Sequence, residues 1–440
     1  KYITENFCDQ IHIDSSDNTL SKQLEPLEQI MLEKTGVYVL DQGDEAMVSR
    51  AWLSENAEES IDVQYFIFSA DNVGLIGCDY LLRAADRGVK VRILVDDIMV
   101  DGDIEELLAL DAHPNLSIKI YNPTANFGKN LFDKLKQLST NFRGFNQRMH
   151  NKTFIVDQKI AITGGRNIAD EYFDYDHDYN FRDRDVLLLG KISKDIQYSF
   201  NQFWSDTLSF SLSNIVNIED FELNILEKYN YLHNYACDSA NFWPQVREKI
   251  KDVPSAFLKE SISIQSPYII TTDMGRQLFK DAIARGVEVK ILTNSLASTD
   301  NIEAFNGYQR DREQLLKTGI KVYEFKPDAL IRYQLMTGAL QEKMDYTPIF
   351  GLHAKSMVID KKIAVIGTFN LDPRSANLNT ECITVIQSKQ LAEKLYQTME
   401  KEMQSENAWE TTLFFNPDSV AGLWKQLNME LRRVIPKSIL

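Results

Sequence analysis

The feature that most constrains the fold is an internal duplication, in which the second half of the chain repeats the first about 200 residues later. Residues 59–64 read ESIDVQ, and residues 260–265 read ESISIQ. Residues 87–94 read RGVKVRIL, and residues 285–292 read RGVEVKIL. A chain of 440 residues is also longer than a single hydrophobic core usually supports. The repeat therefore predicts two copies of one structural unit.

Each copy reads as a strand, a helix and a second strand, with amphipathic helical stretches at residues 74–86 and 274–284. Strands joined by one helix are normally parallel neighbours with a right-handed crossover. More predicted strands follow at 116–121, 153–156, 159–163 and 186–189, and in the second copy at 319–324, 355–359, 362–366 and 382–386, before helices at 192–205 and 388–404. The predicted fold class is α/β, with two similar α-β-α sandwich halves related by pseudo-two-fold symmetry.

The duplication also suggests how the chain divides. The predicted segments are an N-terminal extension (1–40), a first half (41–215), linker helices (216–255), a second half (256–410) and a C-terminal helical tail (411–440). The tail contains an amphipathic stretch around 423–431, for which packing on the core and packing on a partner are both open. No run approaches 18 apolar residues, so no membrane-spanning helix is predicted. The chain begins at Lys1 rather than Met, which leaves an upstream anchor or signal open.

Each copy contains the same polar motif, HxKxxxxD followed by GxxN. His and Lys two residues apart on a strand point to the same face. The Asp then begins a hairpin turn at the far end of that strand, so we interpret it as structural. The Asn follows the returning strand and comes back towards the His and Lys. The motif positions are His150, Lys152, Asp157 and Asn167 in the first copy and His353, Lys355, Asp360 and Asn370 in the second.

These residue types match the needs of phosphodiester chemistry. A phosphodiester is anionic and gains charge on oxygen as it is displaced, so its cleavage needs fixed cations, a nucleophile and a proton donor. One neutral imidazole can attack phosphorus while an opposite imidazolium protonates the leaving alkoxide. Lys152 and Lys355 would serve as the cations, so we predict neither a metal nor another cofactor.

A nucleophilic histidine also needs an acceptor on its other ring nitrogen, to fix the tautomer. Glu381 precedes the predicted strand 382–386, and Asp185 precedes the strand 186–189. Because their positions match, these two are the predicted orienting carboxylates. Asp183 is the alternative in the first half.

At this point the sequence resembles the phospholipase D superfamily over about residues 40–405. Residues 164–173 (GGRNIADEYF) and the segment from 372–375 (DPRS) to 378–381 (LNTE) resemble bacterial cardiolipin synthases. Residues 183–187 (DRDVL) are similar to the C-type branch of those enzymes. The resemblance implies transfer of a phosphatidyl group, through a covalent phosphohistidine, to a lipid head-group hydroxyl.

In that family the first-motif histidine is usually the nucleophile, which implies His150, with His353 as the general acid. The symmetry of the sequence does not itself set this order. We also expect four residues beside the motifs to contact substrate: Gly165, Arg166, Thr368 and Arg374. The gap between Asn167 and Asp185 is longer than its counterpart and holds the acidic, aromatic run 172–179, so the acceptor stays open.

The net charge of −16 argues against a nuclease, and also against broad electrostatic adhesion to an anionic membrane. We expect a phospholipid substrate, a peripheral membrane surface and no nucleic acid, at a bacterial inner membrane or in the cytoplasm. The alternatives are phospholipase D hydrolysis to phosphatidic acid, a superfamily nuclease, and a catalytically inactive lipid- or nucleic-acid-binding module. Two intact motifs argue against the inactive module.

Two insertions lead directly into the motif histidines. Residues 123–148 interleave basic side chains, among them Lys129, Lys134 and Lys136, with leucines and phenylalanines. Residues 327–350 are rich in apolar side chains. We expect both to form a lipid-facing rim of the site, the alternative being ordinary packing helices.

The cysteines are Cys8, Cys78, Cys237 and Cys382, which form no CxxC pair. They are predicted to be free, buried thiols, and no zinc site is indicated. This usage fits a reducing compartment.

Overall fold

The computed structural model describes residues 19–97, 104–123, 147–176, 178–221, 223–237, 264–271, 273–284, 286–335 and 348–432. The strands of this part are β1 (Thr35–Leu40), β2 (Ser60–Tyr65), β3 (Lys90–Asp96), β4 (Leu116–Tyr121), β5 (Thr153–Val156), β6 (Ile160–Gly164), β7 (Tyr179–Arg182), β8 (Asp185–Gly190), β9 (Ser209–Ser211), β10 (Ile264–Gln265), β11 (Lys290–Asn294), β12 (Lys321–Phe325), β13 (Ile349–Leu352), β14 (Ser356–Ile359), β15 (Ile363–Gly367), β16 (Ile383–Gln387) and β17 (Ala408–Thr411).

The helices of the same part are α1 (Leu20–Leu24), α2 (Glu28–Glu33), α3 (Gly43–Asn56), α4 (Asn72–Asp86), α5 (Ile104–Asp111), α6 (Lys191–Trp204), α7 (Ile225–Cys237), α8 (Asp273–Ala284), α9 (Ile302–Leu316), α10 (Arg332–Leu335), α11 (Pro373–Asn377), α12 (Lys389–Glu402) and α13 (Leu423–Leu431). The strands and helices predicted at 74–86, 116–205, 274–284 and 319–404 each have a counterpart here, with ends that differ by at most two residues, and β10 is the described part of the repeated segment 260–265.

Two large sheets carry the duplication. The first has the order β1-β8-β6-β5-β2-β3-β4-β9, and the second has the order β16-β15-β14-β10-β11-β12-β17. The repeated strand-helix-strand units pair in parallel, β2 with β3 and β10 with β11. The hairpin after each motif is antiparallel, β5 with β6 and β14 with β15. Apart from β1 the two orders correspond strand for strand, which confirms the prediction of two similar α/β halves.

The two halves share a core. One cluster of buried residues joins Leu94, Val186 and Phe200 of the first half to Ile366 and Leu395 of the second. The strands concerned are buried on both faces, which is why they read as nearly continuous apolar runs in the sequence. Burial of this shared surface fixes one sheet against the other.

Backbone pairing also crosses between the halves. Strand β7 lies parallel to β13, with Arg182 opposite Leu352. An isolated bridge pairs Met149 with Thr380. Both crossings end beside a motif histidine, so the main chain itself brings the two motifs together.

The ends of the chain join the halves. β1, from the predicted N-terminal extension, pairs with β8 and forms the edge of the first sheet. The predicted linker helices are described only by α7, which packs on the first half: its Tyr229 hydroxyl donates to the carbonyl of Ala109. In the tail, α13 packs on α9 through the buried Met429, whose carbonyl accepts from Asn306.

Several predictions fall on other parts of the chain. Residues 124–146 and 336–347 lie outside the described residues, so the basic insertion and most of the apolar one stay predictions. Cys78 and Cys382 are free thiols. Cys237 is disulfide-bonded, so the prediction of a free thiol is wrong there, and Cys8 lies outside the described residues. Along the described ranges, no helix combines the length and the apolar character needed to cross a membrane.

Candidate active site

The two motif histidines lie where backbone from the two halves meets. The amide of His150 donates to the carbonyl of Thr380 at 3.1 Å, and the amide of His353 donates to the carbonyl of Arg182 at 2.8 Å. Each HxK segment is therefore held by main chain from the opposite half. Both rings are almost fully buried, at 7% and 6% residue exposure.

Each imidazole contacts a carboxylate from the opposite half. Nδ1 of His150 lies 2.9 Å from Oε2 of Glu381, and Nδ1 of His353 lies 2.6 Å from Oδ2 of Asp183. A carboxylate at Nδ1 holds the proton there and leaves Nε2 with the lone pair. The duplication thus produces two histidine–carboxylate pairs, each joining a histidine of one half to a carboxylate of the other.

The sequence prediction of Asp185 as an orienting carboxylate is wrong, and the alternative residue Asp183 takes that place. In the sheet, Gly164 pairs with Asp185, whereas the equivalent Gly367 pairs with Ile383. Asp183 and Glu381 therefore hold equivalent positions, two residues before those partners. Side chains alternate along extended backbone, so residues two positions apart point to the same face of the sheet. The sequence pattern therefore does not distinguish Asp183 from Asp185.

Asp185 instead has a structural role. Its Oδ2 accepts from Nη2 of Arg50 at 2.8 Å, and its Oδ1 accepts from the backbone amide of Arg166 at 3.2 Å. Asp185 is fully buried. The pair ties α3 to β8 of the first sheet, because a buried carboxylate without its cation would be costly.

Arg166, predicted to bind substrate, is also structural. Its buried guanidinium donates to the carbonyls of Leu40, Asp41, Tyr172 and Asp183, at 2.9–3.0 Å. In these four hydrogen bonds the N–H groups of the guanidinium donate to main-chain carbonyls and not to a ligand. The bond to Asp183 supports the residue that contacts His353.

The two lysines are buried beside the histidines. Nζ of Lys152 donates to the carbonyl of His150 at 2.8 Å. Nζ of Lys355 donates to the carbonyl of His353 at 2.6 Å and lies beside the ring, 2.8 Å from Nδ1 and 3.0 Å from Nε2. Burial lowers the pKa of Lys152 to about 7, helped by the charge of Lys355, and burial lowers the pKa of Lys355 to about 8. The charge of Lys355 acts on Lys152 and His150, and the charge of Lys152 acts on His353, so both motifs lie in one site.

Burial also lowers the pKa of the two imidazoles. The pKa of His150 falls to about 4 and that of His353 to about 3, with the neighbouring lysine adding to the effect of burial in each case. Glu381 and Asp183 oppose this shift, and both carboxyls have lowered pKa values themselves. Both rings are therefore neutral near pH 7, and the positive charge of the site comes from the two lysines, opposite the carboxylates of Glu381 and Asp183.

Aromatic rings pack against both imidazoles, and sequence reasoning missed them as site residues. The ring of Phe66 lies 5.2 Å from that of His150. The rings of Tyr172 and Phe181 lie 5.1 Å and 4.8 Å from that of His353. Phe66 follows the repeated ESIDVQ segment, Tyr172 begins the aromatic run 172–179, and Phe181 comes just after it, but none of these segments carries a chemical motif.

The GxxN segments differ between the halves. Oδ1 of Asn167 accepts from the amide of Ile67 at 3.1 Å, whereas Oδ1 of Asn370 is buried without a hydrogen-bond partner among the described residues. A Cβ on Gly165 would lie 2.0 Å from Oδ1 of Asp183, so glycine leaves the room that this carboxylate needs. Its counterpart Thr368 donates its hydroxyl to Oε2 of Glu381.

The motif aspartates lie in the hairpin turns. Asp157 has a φ of 50° and Asp360 a φ of 55°, a left-handed conformation that Asp tolerates. The carboxylate of Asp157 accepts from the amides of Glu58, Glu59 and Ser60 at 2.7–2.9 Å, at the start of β2. These contacts are consistent with the structural interpretation. Arg374 lies in α11, half-buried, where burial lowers its pKa, and its role in substrate binding stays a prediction.

The arrangement has the parts that a phosphoryl displacement requires. Two neutral imidazoles and two lysines lie close enough to influence one another across the motifs, and the side-chain oxygen of Asn370 is buried without a partner among the described residues. The first imidazole can attack phosphorus, the second can exchange a proton with an oxygen, and the lysines can stabilise the equatorial charge. These parts come from both halves, so the site exists only in the folded duplication.

The sequence and the fold of this chain are similar to those of known proteins. The family described as "Cardiolipin synthase, PLD-like domain" matches residues 53–204 and 255–403. Cardiolipin synthase C of Escherichia coli (strain K12) is 30% identical over 459 residues, which cover 91% of this chain and 95% of that protein. An uncharacterized protein of Helicobacter pylori (strain ATCC 700392 / 26695) is 32% identical over 419 residues, covering 86% of this chain and 80% of its own.

Among solved structures, the phosphatidylserine synthase of Haemophilus influenzae Rd KW20 superposes with a TM-score of 0.56 at 15% sequence identity. The superposition covers 92% of this chain and 95% of that one. At this identity the likeness supports the fold alone, and it extends over both halves.

Proposed function

Because the chain belongs to the cardiolipin synthase family with phospholipase D-like domains, we propose that it transfers a phosphatidyl group between phospholipids through a phosphohistidine. Cardiolipin is the proposed product, since the C-type cardiolipin synthase matches almost end to end. The observation that carries the proposal is the exchanged pair of histidine–carboxylate contacts around two buried lysines.

In the first step Nε2 of His150 attacks the phosphorus of the donor lipid. The P–N bond forms, the bond from phosphorus to the head-group oxygen breaks, and His353 gives its proton to the departing alkoxide. Glu381 stabilises the imidazolium charge that develops on His150. Lys152 and Lys355 hold the non-bridging oxygens, whose charge rises during the displacement.

In the second step the hydroxyl of the acceptor lipid loses its proton to His353 and attacks the phosphohistidine. The P–N bond breaks and His150 returns to its neutral state. His353 is neutral in the empty site and must be protonated to act first as an acid. A bound phosphodiester supplies the negative charge that raises the pKa of His353 and keeps that proton in place.

The choice of His150 as the nucleophile has a geometric basis besides the family resemblance. Its Nε2 accepts no hydrogen bond from the described part of the chain, so its lone pair is available. The ammonium of Lys355 instead lies beside the ring of His353, 2.8 Å from Nδ1 and 3.0 Å from Nε2. A cation this close makes the ring a poorer nucleophile and favours a role in proton transfer.

Product analysis tests the proposal. The purified chain is incubated with phosphatidylglycerol, alone or with phosphatidylethanolamine, and the lipids are separated with and without added glycerol. We expect cardiolipin as the product. When phosphatidylethanolamine is the donor and glycerol is added as the acceptor, the yield of phosphatidylglycerol should also rise. Phosphatidic acid as the main product under all conditions would instead assign phospholipase D hydrolysis. Absence of any lipid product would favour an inactive binding module.

The resemblance also supports action at a bacterial membrane surface, where phospholipid is available. The exposed part of the second insertion agrees with this: Leu330 and Tyr333 are 55% and 60% exposed. Charge reversal at Lys129, Lys134 and Lys136 should weaken vesicle binding, and unchanged binding would remove the basic rim from the proposal.

A further inference from the structure

The C-terminal helix α13 presents an apolar face that nothing in the described chain covers. Leu423, Trp424, Leu427 and Leu431 are 77%, 85%, 56% and 75% exposed. Three of them follow at intervals of four residues and so lie along one side of the helix. Met429, by contrast, is 4% exposed and holds the helix on α9. An exposed apolar row on a helix whose other side is already packed marks an interaction surface.

This face stands beside the loop that borders the candidate active site. Nζ of Lys425 donates to the carbonyls of Ala297 and Thr299, at 3.2 and 2.7 Å. The next loop residue, Asp300, accepts from the hydroxyl of Tyr268 at 2.7 Å and acts electrostatically on Lys355. The beginning of α13 is thus joined through one short loop to the surroundings of His353.

A second exposed apolar group lies at the same edge of the second sheet. The loop 295–300 follows β11, and Leu330 and Tyr333 follow β12. These two strands are parallel neighbours, so the segments that leave their carboxyl ends emerge at one edge. The motif segment that ends in His353 lies there too, since Nδ2 of Asn294 donates to the carbonyl of Leu352 at 2.8 Å.

We propose that the exposed face of α13 docks on a phospholipid bilayer and holds the site mouth against it. The occupant follows from the proposed function, on which this inference rests, because the reacting phosphodiesters lie at a bilayer surface. The net charge of −16 makes attraction to anionic lipid a poor means of attachment. Insertion of leucines and a tryptophan into the interface does not depend on charge.

Vesicle sedimentation with a matched control tests this surface. The double variant W424S/L427S is compared with F414S in the full chain. Phe414 is 98% exposed, but it follows Thr411, which pairs with Val322 at the beginning of β12 and so lies at the opposite edge. With vesicles of neutral phosphatidylcholine, the double variant should bind at least tenfold more weakly, whereas F414S and the wild type should bind alike in low and high salt.

Equal binding by the double variant and the wild type would overturn the proposal. So would loss of wild-type binding in high salt, or a change from dimer to monomer in sedimentation velocity, which would assign the face to a second copy. Transfer activity on short-chain phospholipid dispersed as monomers separates this inference from the proposed function. The double variant should retain that activity. Absence of activity in the wild type would end the proposed function while the vesicle result still decides the docking surface.

Discussion

The two histidine environments come from one duplicated sequence, but they are no longer equivalent. His150 contacts Glu381 and packs on Phe66, and its Nε2 accepts no hydrogen bond from the described residues. His353 contacts Asp183, packs against two aromatic rings, and has the Lys355 ammonium 2.8 Å from its Nδ1 and 3.0 Å from its Nε2. Duplication supplied two similar imidazoles at once, and small changes in their neighbours have since made their surroundings different, as the proposed division into a nucleophile and a proton donor requires.

The largest expected effect separates these two roles. Replacement of either ring, H150A or H353A, should lower lipid transfer by roughly 10³-fold or more, because both steps need both rings. With a phosphodiester whose leaving group is an acidic phenol, H353A should still form the phosphoenzyme, since that group departs without a proton. H150A should form none.

Mass spectrometry of rapidly quenched protein, kept free of acid, detects the phosphohistidine and identifies the residue that carries it. A phosphorylated His353 in H150A, together with none in H353A, would exchange the two roles. Matched circular dichroism of both variants controls for folding.

Replacement of Asp183 and of Asp185 should affect different properties of the protein. D183N should lower kcat by roughly 10³-fold while the melting temperature changes little, because it upsets the tautomer of His353. D185N should do the opposite, since it leaves the buried charge of Arg50 without its anionic partner, a loss of about 3–5 kcal/mol of stability. Calorimetry and steady-state kinetics on both variants measure the two effects, and equal melting temperatures would contradict the structural role of Asp185.

Anion binding should depend on pH through the lysines. Their pKa values, about 7 for Lys152 and about 8 for Lys355, lie below the ordinary lysine value, so they lose their charge as the pH rises through this range. Sulfate affinity, measured by calorimetry, should therefore fall between pH 6.5 and about 9, with bound sulfate shifting the midpoints upward. K355Q should raise the midpoint of the remaining Lys152, because the charge of Lys355 helps to lower its pKa. An affinity that does not change with pH would contradict these lysine assignments.

The smallest expected effect lies at the residues that support the carboxylates. T368V removes the hydroxyl that donates to Glu381 and should lower kcat about tenfold, whereas T368S should restore it. In the first half, G165T should be the more harmful change, because its Cβ would collide with Asp183. Equal effects at both positions would mean that the halves still support their carboxylates in the same way.

Sequence patterns alone were enough to predict the duplication, the α/β class, the succession of strands along the chain and the residues of both HxK motifs. It could do so because these properties are local: strand and helix periodicity, turn residues and the two-residue spacing of His and Lys are written within one segment. The structural role expected for Asp157 follows from the same kind of local pattern.

Only the tertiary structure decided which carboxylate meets which histidine, because those contacts join residues 170 and 231 positions apart in the chain. The choice of Asp183 over Asp185 depends on a two-residue difference in strand register, and alternation along a strand cannot distinguish such positions. Arg166 likewise turned from a substrate contact into a support, since only packing reveals that carbonyl oxygens surround its guanidinium. Long-range pairing and burial, which no local pattern encodes, set the chemistry of the site.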